Sequence, residues 1–102
     1  MGIELLWEEE DGSELARLSD PQSLVQQFLP LISDTKSVCL RFVDPYGDTV
    51  FNCLQLPVLL TELEQCMAQQ YEPQVAEHLS AALALVKSAQ GYVHTYVRFV
   101  GD

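Results

Sequence analysis

A chain of 102 residues with 15 Asp and Glu against 5 Lys and Arg carries a formal net charge of −10. A surface that acidic repels phosphate polyanions and anionic lipid and attracts basic proteins, so neither nucleic acid nor a membrane is an expected partner. Hydrophobic residues make up 48% of the chain, which excludes a disordered acidic tail, and one domain spanning residues 1–102 can bury roughly 65% of its unfolded surface.

No apolar run reaches the roughly 18 residues of a membrane span, and the N-terminus lacks the basic start and apolar stretch of a signal peptide. Met1-Gly2 opens like a myristoylation site, but Leu6 stands where Ser or Thr is required. Cys39, Cys53 and Cys66 are odd in number, lack CxxC spacing and sit in apolar segments, as small buried hydrophobes do in a reducing compartment. The expectation is a cytoplasmic protein without a disulfide framework.

In chain order, Ile3–Glu8 and Ser13–Leu18 flank Glu9-Glu10-Asp11-Gly12 and read as a β-hairpin. Ser19-Asp20-Pro21 places a capping side chain before a proline, and Leu24, Val25, Phe28 and Leu29 follow at helical spacing, predicting a short helix over Pro21–Leu29 that stops at Pro30. Val38–Val43, the turn Asp44-Pro45-Tyr46-Gly47-Asp48 and Thr49–Cys53 read as a second hairpin. With Asp44 facing Asp48, Arg41 lies opposite Phe51 and Cys39 opposite Cys53. Val38, Leu40 and Phe42 then share a core face with Val50, Asn52 and Leu54.

Pro57 opens a second helix with Leu59, Leu60, Leu63, Cys66 and Met67 inward and Glu62, Gln65 and Gln69 outward. A third helix, Pro73–Ala89, carries Val75, Leu79, Ala82, Leu83 and Val86 on one stripe, with His78 on its outer surface. Tyr92–Val100 is the final strand, with Val93, Val97 and Phe99 on one side and Tyr92, His94, Tyr96 and Arg98 on the other. The fold class is α+β: a single β-β-α-β-β-α-α-β domain whose mostly antiparallel five-stranded sheet packs its helices on one face, with the long, β-branched terminal strand internal or paired beside Val38–Val43.

Candidate functional residues fall in three groups. Glu8, Glu9, Glu10 and Asp11 belong to a stretch of seven acids against one base in the first twenty residues. They form either a solvated hairpin tip or a docking surface for a basic partner. Alternation of consecutive acids along a strand makes a metal cage there difficult. Tyr46 projects an aromatic ring from a turn and is a candidate interface anchor. Tyr92, His94, Tyr96 and Arg98, together with Arg41 and Phe51, form the third group, since Tyr and Arg are frequent interface anchors. Asp44 and Asp48 are explained by turn chemistry, and Cys39, Cys53 and His94 lack the pattern of a metal or nucleophile site. No phosphate loop, nucleophile elbow or zinc spacing is present.

The leading expectation is a non-enzymatic interaction module that binds, and neutralises, a basic protein partner, with no cofactor and no metal. In size and charge the chain resembles bacterial immunity or antitoxin-type inhibitors, a likeness of composition that transfers no residues. Two other readings stand beside it: a structural subunit that forms a homodimer through the Tyr92–Arg98 face, and a small enzyme or ligand carrier with a pocket between sheet and helices.

Overall fold

Alternating side chains on four segments build the sheet: β1 (Glu4–Glu9), β2 (Glu14–Leu18), β3 (Asp48–Phe51) and β4 (Thr95–Val100). In the computed structural model, which describes residues 2–102, they pair antiparallel in the order β2-β1-β4-β3. The terminal strand is internal, one of the two places expected of so long and β-branched a strand; the other, beside Val38–Val43, does not arise. Leu5 faces Phe99 and Leu18, Trp7 faces Val97 and Ala16, and Phe51 faces Val97. These residues define the inner face, where Phe51 meets Phe99 edge to face at 5.7 Å.

Two helices, α1 (Leu56–Cys66) and α2 (Pro73–Ala89), each carry proline in the first turn, where the missing amide hydrogen costs nothing. Leu59 and Leu63 of α1, together with Val75, Leu79, Ala82 and Val86 of α2, close one core with Leu5, Val97 and Phe99. Each large apolar side chain in it contributes about 1.5–3 kcal/mol by leaving water. The result is a single α+β domain with a radius of gyration of 12.5 Å, matching the ~13 Å of a compact 100-residue chain. No helix among the described residues is long and apolar enough to cross a membrane.

The sheet has four strands rather than five, because Val38–Val43 is not a strand. Leu40–Phe42 forms a single 3-10 turn, and the cause is Glu62. Its carboxylate accepts the backbone N–H groups of Val38, Cys39 and Leu40 at 2.9, 2.9 and 3.0 Å, and the Ser37 hydroxyl as well. Consecutive amides of a strand point to opposite sides, so three of them meeting one carboxylate require a curled backbone. Glu62 therefore points inward on α1, while Met67 is exposed. The expected register of Asp44 against Asp48, Arg41 against Phe51 and Cys39 against Cys53 falls with the strand, since β3 pairs with β4 instead. Of the expected core face only Leu40 is buried: Val38, Phe42, Val50, Asn52 and Leu54 are exposed, and Cys39, Val43 and Phe51 of the opposite face are buried instead.

The helix expected over Pro21–Leu29 shrinks to one 3-10 turn, Val25–Gln27. Ser23 has a φ of +57°, a left-handed conformation that no helix can contain. Asp20 caps as expected but spans more: it accepts the amides of Leu24 and Val25 at 2.6 and 3.1 Å and that of Ile3 at 3.0 Å. It thus pins the start of β1 to the turn. Tyr92, Val93 and His94 lie in the loop before β4, with Gly91 and His94 at φ +86° and +61°, so their expected alternation does not hold and Val93 is exposed.

Candidate functional site

The β1–β2 hairpin closes on left-handed Gly12 (φ +88°), with the Gly12 amide donating to the Glu9 carbonyl and the Glu9 amide to that of Ser13. The Asp11 carboxylate accepts the Ser13 amide at 2.9 Å, and hydrogen bonding from Ser13 holds its pKa below the ordinary value. A register shift at Trp7 and Glu8 interrupts the pairing with β2. Strand alternation in the unbroken β1–β4 pairing divides the acids. Glu8 is buried on the outer sheet face and accepts from Arg98 Nε at 2.7 Å, whereas Glu9, Glu10 and Asp11 are exposed at the tip.

Those three acids meet the loop before β4. Trp7 packs edge-on against Tyr92 at 5.3 Å, His94 Nδ1 lies 3.6 Å from Glu10, and the Thr95 hydroxyl donates to the Tyr92 carbonyl at 2.9 Å. Between hairpin and loop lies a hollow of about 350 Å³ lined by Glu9, Glu10, Asp11, Val93, His94 and Thr95. Val93 is 67% and Tyr92 56% exposed beside it. Two groups read separately along the chain therefore form one acidic, apolar-flanked end of the molecule.

Tyr96 and Arg98 are not part of that end. Both are half-buried on the outer sheet face, where Arg98 also donates to Asp48 at 3.1 Å. The hydrogen bond to Glu8 is the largest reason the Arg98 guanidinium holds its proton more tightly than usual; burial opposes it, and the charges of Glu8 and Asp48 add to it. Arg17 is similarly tied, to Glu4 at 2.7 Å and Glu14 at 2.9 Å. Arg41 and Phe51 are not neighbours of Tyr96: Phe51 is in the core, while Arg41 stacks 4.6 Å from the Phe42 ring and donates to the Ile32 carbonyl at 3.2 Å. Tyr46 is 81% exposed on a turn whose Asp44 carboxylate accepts the Tyr46 amide. That turn is docked by Gly101 and Asp102, which donate to the Gly47 and Pro45 carbonyls at 2.7 and 3.0 Å.

Two polar residues inside the protein escaped the sequence reading. Glu62 sits among Leu59, Leu63 and Cys66 at helical spacing, the one signal that it faces inward. His78, expected on the surface, has a side chain only 10% exposed, with Nε2 3.8 Å from the buried Asp20 carboxylate. Among the described residues, no three His, Cys, Asp or Glu side chains are placed to hold a metal ion.

The chain was compared with family models, curated proteins and solved structures, and none of them matches it.

Proposed function

We propose that this is a non-enzymatic, cytoplasmic interaction module of the inhibitor or immunity type, which captures a basic protein partner on its hairpin end. The convergence of Glu9, Glu10 and Asp11 with exposed Tyr92 and Val93 carries this reading. Free carboxylates accelerate and orient encounter with a basic surface, and adjacent aromatic and aliphatic area supplies the contact that persists afterwards. The rest of the surface adds to the field, because Arg17 and Arg98 are already bound to carboxylates. Capture from a lysate of the source cell at low and moderate salt, with the wild type beside an E9Q/E10Q/D11N variant, tests it. The variant is expected to lose about tenfold in affinity and most of the salt dependence. Equal capture by both proteins overturns the reading.

A further inference from the structure

His94 occupies a backbone conformation that favours glycine. Its φ of +61° is left-handed, a region where a side chain costs free energy and persists only when its surroundings hold it. What the position gains is an imidazole on the wall of the hollow between hairpin and loop, beside Glu9, Glu10 and Asp11. Nδ1 lies 3.6 Å from the Glu10 carboxylate, and with the His94 side chain 74% exposed the ring exchanges protons freely with solvent. Among the described residues no Lys or Arg lines the hollow, and the two arginines of the sheet are held by Glu4, Glu14, Glu8 and Asp48.

The hairpin end therefore holds three carboxylates and one group that is either neutral or cationic. We propose that His94 makes capture at this end pH-sensitive, its proton competing with the basic partner for the tip carboxylates. This rests on the reading of the hairpin end as a docking surface and adds its regulation. With the ring neutral, Glu9, Glu10 and Asp11 all face an incoming Lys or Arg side chain as unopposed charges. With the ring protonated, the imidazolium attracts Glu10, cancels one of those charges and stands as a cation in the hollow that the partner's cation enters. Coupling of this kind is reciprocal: the proton weakens the partner, and the partner displaces the proton.

Acidification therefore weakens capture. Imidazole is the side chain whose ordinary titration falls between about pH 5 and 8, whereas Asp and Glu side chains ordinarily lose their protons near about pH 4. Hydrogen bonding from Ser13 holds Asp11 below even that ordinary value. A fall from about pH 8 to about pH 5.5 thus acts on an imidazole far more than on a carboxylate. The other histidine, His78, is buried beside Asp20 and does not line the hollow. One unit charge about 4 Å from another in water shifts an equilibrium about fivefold, and added salt reduces the effect.

Binding of a lysine decamer to the full chain at about 10 mM salt, measured at about pH 8 and about pH 5.5, is the test. The wild type is expected to bind about fivefold more weakly at the lower pH, the loss following the titration of the His94 ring resonance in the free protein. Calorimetry at the midpoint of that titration, in buffers of different ionisation enthalpy, should show a proton released on binding. Asn tolerates left-handed backbone and takes no proton, so the affinities of His94→Asn at the two pH values should agree. Equal wild-type affinity at both pH values, an undiminished loss in His94→Asn, binding without proton release, or no binding at all overturns the proposal. E9Q/E10Q/D11N, measured at the higher pH, separates the two readings. Weaker binding by that variant beside a pH-independent wild type removes only the role of His94, while binding equal to the wild type removes the hairpin reading and the role of His94 with it.

Discussion

The Glu62 carboxylate determines the path of residues 37–41 by gathering three amides and the Ser37 hydroxyl, which in turn accepts the Arg41 amide at 3.0 Å. Both of its oxygens are fully used, so the burial of a charge is offset by donors aimed at it. Glu62→Gln keeps the shape but turns an NH₂ group toward amides that can only donate. It should cost about 2–3 kcal/mol, read as a lower urea midpoint with unchanged slope, while Glu64→Gln on the exposed side of the same helix stays within ~0.5 kcal/mol. The same carboxylate acts on two cysteines. Burial chiefly, and the Glu62 charge secondarily, push the Cys39 and Cys66 thiols above their ordinary value of 9.0. The folded state then keeps protons that the unfolded chain has released, so stability is complete below that value and falls as pH rises past it. Urea midpoints between pH 8 and pH 10 should decline, and less steeply in a Cys39→Ala/Cys66→Ala variant.

At the scale of elements, strict periodicity was legible and irregular backbone was not. The β1–β2 hairpin, both long helices and β4 follow from alternation or helical spacing with proline at the helix starts, because their side-chain pattern is imposed by their own geometry. Segment 38–43 alternates just as well, yet its conformation is set by a glutamate more than twenty residues away, which no local pattern contains. The same distant contact kept Val38 and Phe42 out of the core, although alternation assigned them to it beside Leu40. At the site, the run of acids at positions 8–11 was readable as charge. The burial of Glu8 against Arg98 was not, since it depends on β1 pairing with a strand ninety residues further on. Nor could the sequence show that the 91–95 loop would stand beside the hairpin, a consequence of β1 pairing with β4. One further element contact yields a prediction. A Cβ at Gly101 would lie 2.5 Å from the Asp44 carbonyl oxygen and the Pro45 backbone, so Gly101→Ala should cost about 1–3 kcal/mol. Faster amide exchange at Gly101 and Asp102, with β1–β2 unchanged, would locate the damage at the 44–48 turn.

For the molecule as a whole, the charge distribution separates what folding needs from what docking would use. Asp20 and Glu62 are buried and hydrogen-bonded, and Glu4, Glu8, Glu14 and Asp48 are engaged with Arg17 or Arg98. Glu9 and Glu10 do no comparable work: among the described residues Glu9 has no cation beside it, and Glu10 has only His94, which attracts it only when protonated. Packed into one tip of a molecule at −10, they repel one another and the remaining acids, which destabilises the compact state. Glu9→Gln/Glu10→Gln should therefore stabilise the fold, by about 0.5 kcal/mol at low ionic strength. The gain should shrink at 150 mM salt as screening removes the repulsion. Urea denaturation at the two salt concentrations measures it. A gain in stability accompanied by a loss of partner capture is the pattern of residues kept for binding at the expense of folding; a loss of stability would instead make the tip acids part of the framework and leave the docking reading without its main support.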